Sequence, residues 1–186
     1  MFDRNELKRL TENQAKKDFF SAGHINRCFD CLELIKENSF DEETVFAGIL
    51  LHSIGFSQSV KFNQDLIQTS LNLAKKFLVA SGFPKEKTDF VLHCIQEAGL
   101  KGQPKTIEAI LVHEVNLLDE ISAVGIVKDS VLFYLKKISL KSFLEEEKTK
   151  AFLLKTAFFT EKAKILAEKR MVLLDSFVES LETELK

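Results

Sequence analysis

The sequence has no tryptophan, one tyrosine, two prolines and seven glycines in 186 residues. So few breakers leave long stretches free to remain helical, and no Asn-Gly or Asp-Gly pair marks a tight hairpin. A surplus of one charge sign is also missing, since 26 Lys and Arg stand against 28 Asp and Glu, a net charge of −2. Binding to phosphate backbones or anionic bilayers normally calls for a clear basic excess, so the balance argues against nucleic-acid and membrane partners. No stretch approaches the roughly 18 uninterrupted apolar residues of a membrane span. The opening MFDRNELKRL lacks the apolar centre of a secretory signal. Cysteine is scarce and odd in number: Cys28, Cys31 and Cys94 cannot all pair, which leads us to expect free thiols in a reducing, cytoplasmic setting.

What is present is enough apolar material, 45 % of residues, to fill a substantial core. The length suits one domain, so residues 1–186 read as a single helical unit, with its motif-bearing core at about 20–127 and C-terminal helices 128–186 packed on it. Apolar residues recur three and four apart, as in Phe46, Ile49 and Leu50, in Leu71, Ala74, Phe77 and Leu78, and in Leu166, Leu173, Phe177 and Leu181. The pattern predicts helices near 3–20, 22–38, 42–53, 63–81, 85–98, 106–121, 128–138, 141–154 and 160–185. Ser81-Gly82-Phe83-Pro84 and the stretch from Gly99 to Pro104 are the main breaks, while Asp41 and Thr160 suit helix N-caps.

Three stretches carry polar groups into apolar surroundings. In Gly23-His24-Ile25-Asn26-Arg27-Cys28, the residues His24, Arg27, Cys28 and, further on, Cys31 share one helix face. In Ala47-Gly48-Ile49-Leu50-Leu51-His52-Ser53-Ile54-Gly55, an apolar helix ends in an imidazole that needs a partner or a metal. From Thr106 to Asp119, an apolar helix bears His113, Glu114, Asn116 and Asp119. A lone histidine on such a helix is more often a hydrogen-bonded core residue, so it is the order and spacing of the three stretches that carry the signal.

Together these stretches resemble the HD superfamily of metal-dependent phosphohydrolases, and its small bacterial members in particular, over roughly residues 20–180. The resemblance implies an all-α, orthogonal helical bundle of about eight or nine helices. It places His24 and His52 on the family's two metal-ligand histidines and Arg27 on its nearby arginine, a candidate contact for a ligand phosphate. The aspartate that should follow the second histidine is Ser53, and the final metal aspartate falls on Asn116. The basic residue beside that aspartate is replaced by Leu117, and a further family histidine by Ala98. The implied metal positions are therefore His24, His52, Ser53 and Asn116, and no catalytic residue is identifiable.

In the family, a divalent cation held by two imidazoles and two carboxylates activates a water for attack on phosphorus. Exchanging both carboxylates for a hydroxyl and an amide removes two formal charges from around the ion. A divalent metal (Mn, Mg, Fe, Ni or Zn) is accordingly expected to be weakly held or absent. Three readings follow. The protein is an impaired member that binds a small phosphorylated molecule or acts as a regulatory partner, a working phosphohydrolase on nucleotides or other phosphoesters with an altered metal site, or a structural interaction domain.

Few other residues offer rescue. Glu114 lies about 200° around the helix from Asn116, whereas His113, about 300° away, is nearer the same side. His93 reads as a core or surface polar residue, and Cys28 and Cys31 as apolar core. A soft zinc site of His24, His52, Cys28 and a fourth ligand is the alternative, without the usual zinc-ligand spacing behind it. Glu145-Glu146-Glu147-Lys148 reads as a solvated face, and Phe158-Phe159 as an anchor for the last helix or, less readily, a dimer seam. Substrate and oligomeric state are not legible.

Overall fold

A computed structural model describes residues 2–15, 21–36, 39–58 and 66–186, and among these it contains helices and no strand. In chain order they are α1 (Arg4–Ala15), α2 (Ser21–Ile35), α3 (Glu42–Leu51), a 3₁₀ turn (Ile54–Gln58), α4 (Leu66–Ala80), α5 (Lys85–Glu97), α6 (Ile107–Glu120), α7 (Ala123–Lys136), α8 (Leu140–Leu154) and α9 (Glu161–Glu184). The architecture is the expected all-α bundle.

Two helices form its centre and are buried on nearly every side. In α3, Thr44, Val45 and Ala47 to Leu51 are buried, and in α6 every residue from Leu111 to Asp119 is buried. Fully buried Ile49, Leu51, Leu111 and Leu117 are each worth roughly 1.5–3 kcal/mol on transfer from water. Close approach is set by Gly48, where an added Cβ would stand 2.8 Å from Val112 and 3.2 Å from Cys94, so α3 can lie tightly against α5 and α6.

The ends of these helices are tied to one another. Asp41 caps α3 by accepting from the Thr44 N–H at 2.8 Å, and its other oxygen accepts from Lys87 Nζ of α5 at 2.6 Å. The Asp41 N–H in turn donates to Glu108 of α6 at 3.0 Å. After α4, Gly82 takes φ 68° and the Phe83 N–H reaches back to the Leu78 carbonyl at 2.9 Å, a left-handed termination that favours glycine.

Glu114 is fully buried on α6 and serves as an anchor for the start of α9. One oxygen accepts from the N–H groups of Phe159 and Thr160 at 2.7 and 2.6 Å, and the other from the Thr160 hydroxyl at 2.7 Å. Thr160 itself caps α9, as its position in the sequence leads us to expect. Of the phenylalanine pair, Phe158 is buried and Phe159 is 45 % exposed, so Phe158 is the apolar anchor.

Three expectations are corrected. Helix α7 begins at Ala123, not near 128, because Ser122 Oγ accepts from the Gly125 N–H and caps it; the division at 127/128 falls inside this helix. The helix expected over 42–53 stops at Leu51, with His52 as its cap. The Glu145–Lys148 run is not wholly a solvated face, because Glu147 is 4 % exposed. It shares the pitch of Phe143, Leu144, Ala151 and Leu154, the buried side of α8. The outer parts of the expected helices at 16–20, 37–38 and 63–65 lie outside the described residues.

Candidate functional site

His52 closes α3, its N–H bonded to the Gly48 carbonyl at 2.9 Å, so the end of a buried helix carries an imidazole into the interior. Its Nδ1 lies 2.9 Å from the Ile49 carbonyl and its Nε2 lies 2.8 Å from Nε2 of His24 on α2. His24 Nδ1 lies 2.7 Å from Asp119 Oδ2 on α6. Arg27, one turn after His24, donates from Nε to Asp119 Oδ1 at 2.5 Å and from its Nη2 to Oδ2 at 3.0 Å.

Hydrogen positions follow from the partners. A carbonyl and a carboxylate only accept, so each Nδ1 carries its hydrogen, and both Nε2 atoms are turned toward one point. Metal-ligating histidines are oriented in this way, by an oxygen that takes the other ring N–H. Burial lowers His52 to about 3, with the charge of His24 adding to it and the bonds to Ile49 and Asn116 opposing. His52 is thus neutral, and its Nε2 faces Nε2 of His24. Burial pushes Asp119 up, but hydrogen bonds from His24 and Arg27, and their charge, outweigh it and hold this carboxyl well below the usual range.

Asn116 and Ser53, which the resemblance sets at the family's acidic positions, are polar and neutral. Asn116 is 6 % exposed and donates from Nδ2 to the Ala98 carbonyl at 2.9 Å, and its side chain interacts with the His52 ring. The backbone of Ala98 therefore orients this amide. Ser53 is half-buried in the turn after His52. Leu117 is fully buried and takes no part. His113 does not join the cluster, since its ring nitrogens face the carbonyls of Glu97 at 2.8 Å and Ala157 at 3.1 Å. His93 is half-buried on α5. Cys28 and Cys31 are buried as expected, and Cys28 Sγ stands 3.8 Å from each ring nitrogen of His24.

Two contributors were given no site role by the sequence pattern. Asp119 is the residue that ties His24 to Arg27, and a charge inside an apolar helix was the cue that it needs partners. Lys128 on α7 is close enough to His52 to disfavour its charging, and lies 3.9 Å from Glu120. It puts a cation near the histidine pair in addition to Arg27.

The donor set fits a divalent metal through nitrogen. Two imidazoles with anchored Nδ1 and converging Nε2 are suited to ions that accept nitrogen ligands, and the neutral amide and hydroxyl are poor substitutes for the anionic oxygens that hard ions demand.

No protein-family model matches this chain, and no curated protein does. Solved structures do match. A predicted HD superfamily hydrolase from an uncultured Thermotogales bacterium is 19% identical, with a TM-score of 0.65 over 98% of this chain and 92% of that one. An HD-superfamily hydrolase from Bacillus thuringiensis is 19% identical, with a TM-score of 0.69 over 98% and 96%. Bacillus subtilis YpgQ, solved in complex with ADP, is 24% identical, with a TM-score of 0.68 over 98% and 97%. At these identities the likeness shows the fold, which extends over nearly the whole of each chain.

Proposed function

We propose, from the HD-type fold as premise, that this protein binds a small phosphorylated ligand beside His24 and His52 and turns it over poorly or not at all. The observation that supports this is the commitment of Asp119. Its two oxygens hold His24 and Arg27, and it meets His24 at Nδ1 and not at the Nε2 that faces His52, so this carboxylate orients the histidine from behind. A divalent metal there would be held by His24 and His52, with Asn116 and Ser53 as neutral neighbours, and when bound it would neutralise charge on phosphate oxygens.

The chain's own groups suffice for binding. Arg27 is bound to Asp119 through Nε and Nη2, with no partner for Nη1 among the described residues, and its side chain is 33% exposed. Asp119 thereby fixes the guanidinium and leaves one edge for an anion. Lys128 adds charge from α7. Neither cation needs a metal to attract a phosphate. No helix of the described residues is long and apolar enough to cross a membrane, and the ligand need not be a lipid.

A second reading, a working hydrolase, is favoured by the orientation of the two histidines, which suits a metal even without the acids. ADP is the probe of choice for both readings, given its presence with the Bacillus subtilis protein. Calorimetry is expected to register ADP binding that weakens about tenfold in Arg27→Ala, the loss of roughly 1.4 kcal/mol. Phosphate release with Mn²⁺ is expected to match that of His52→Ala. Mn²⁺-dependent release that disappears in His52→Ala would establish the second reading, and the absence of ADP binding would remove the first for this class of ligand.

A further inference from the structure

We infer that Cys28 is a third ligand of this site, so that the ion it takes is a thiophilic one such as Zn²⁺ and not Mn²⁺ or Mg²⁺. The inference rests on the reading above that His24 and His52 hold a metal, and it changes the kind of metal. His24 and Cys28 are four residues apart on α2, where side chains stand one above the other. Cys28 Sγ is 3.8 Å from His24 Nε2, and the donor atoms of His24, Cys28 and His52 all lie within 4.8 Å of one another.

A tetrahedral zinc ion with nitrogen at about 2.0–2.1 Å and sulfur at about 2.3 Å sets its ligand atoms about 3.5 Å apart. The two Nε2 atoms, now 2.8 Å apart, would open by less than an ångström, whereas the sulfur, now 3.8 Å from both ring nitrogens of His24 and within 4.8 Å of the His52 donor, would swing from beside the ring toward the side of Nε2 by a change of the Cys28 side-chain rotamer. Rotamer adjustments of that size need no backbone movement.

The alternative is that Cys28 is an ordinary core thiol. Its other polar neighbour, the Val115 carbonyl, is 3.7 Å away, a weak contact that does not account for its place. The other two cysteines offer a contrast within the same molecule. Cys31, further along α2, accepts from Arg170 Nη1 at 3.4 Å, and Cys94 packs against Gly48 in apolar surroundings. Of the three, Cys28 is the one that joins the histidines.

Charge points the same way. Ser53 and Asn116 provide no negative charge to offset a divalent ion, whereas a thiolate provides one and is a soft ligand that discriminates against manganese and magnesium. Three protein ligands also leave a coordination position open, as metal sites that bind a substrate or water do.

Cobalt is the probe, because thiolate–cobalt bonding gives a near-ultraviolet charge-transfer band that nitrogen and oxygen ligands do not. The full-length, metal-stripped protein titrated with Co²⁺ is expected to bind one ion per chain with this band. Cys28→Ser and Cys28→Val are expected to lose the band and at least tenfold in Zn²⁺ affinity, with circular dichroism unchanged, while Cys31→Ser keeps both. Cobalt that binds in a His52-dependent way without the band, or with a band that survives both Cys28 changes, would overturn the inference and leave the histidine pair standing. Failure of the unsubstituted chain to take up cobalt at all would overturn both.

Discussion

Replacing Asp119 with alanine is expected to lower stability by about 3 kcal/mol and to weaken metal binding roughly 10- to 100-fold. The side chain is 4% exposed and accepts three short hydrogen bonds from two cationic or polarised partners. Removing it strands the buried His24 Nδ1–H outright, whereas Arg27 is one-third exposed and recovers water, so the cost falls at the lower end of that for a broken buried pair. The metal effect has a separate cause. Without the carboxylate nothing holds the His24 ring with Nε2 facing His52. The pH dependence distinguishes the charged bond from mere packing. A carboxyl held below its ordinary value of 3.8 contributes stability that is present above that value and is lost as pH falls beneath it. Thermal unfolding should therefore show the gap between the two proteins full at neutral pH and shrinking below about pH 4. A gap that is constant down to pH 2 would count against this assignment.

Glu147→Gln is expected to have the opposite sign. Burial pushes this carboxyl up to about 7, with Lys150 opposing and Asp129, Glu146 and Glu120 adding to the shift, and its Oε2 has no hydrogen-bond partner among the described residues. A folded value above the unfolded 4.5 means that the native state holds the proton more tightly. The protein then loses stability as pH rises from about 4.5 to about 7 and stays at the lower level beyond. The full penalty is about 3 kcal/mol, at 1.36 kcal/mol for each unit of pKa. The amide keeps the volume and removes the ionisation, so denaturant unfolding at pH 8 should show the variant more stable by about 1–3 kcal/mol, and the two proteins converging near pH 4.5. A variant less stable than the parent at pH 8 would mean that Glu147 is bound to Lys150 more strongly than its burial costs.

The elements of the fold could be read from their punctuation. Asp41, Pro84, Thr106 and Thr160 lie where helices begin, and Gly82 where one ends, because caps and breakers act through local backbone chemistry. Ser122 is the same kind of signal, passed over where the apolar spacing sets the helix start near 128. Glu147 was open to the same reasoning: its spacing from Phe143, Leu144, Ala151 and Leu154 puts it on the buried side, although three consecutive glutamates suggest a surface.

Of the candidate site, the sequence pointed to two histidines that the fold places side by side. His24 and His52 are brought together, and Arg27 lies one turn from the first. What holds them was not legible, because the bonds from Asp119 to His24 and Arg27 join residues 95 and 92 positions apart and depend on how α2 crosses α6. The role of Glu114 is hidden for the same reason. Its partners at Phe159 and Thr160 lie 45 and 46 positions away. Spacing along one helix could place Glu114 relative to Asn116, but not relative to α9.

The proposed impairment depends on positions 53 and 116, and Mn²⁺ affinity measures it most directly. The Ser53→Asp, Asn116→Asp double variant returns two anionic oxygens to the pair of imidazoles. It is expected to bind Mn²⁺ at least roughly a hundredfold more tightly than the unsubstituted chain, and a further His52→Ala change is expected to abolish the gain. A folded double variant with no gain in Mn²⁺ affinity would mean that these two positions do not face the metal, and the loss of acids could no longer explain a loss of turnover.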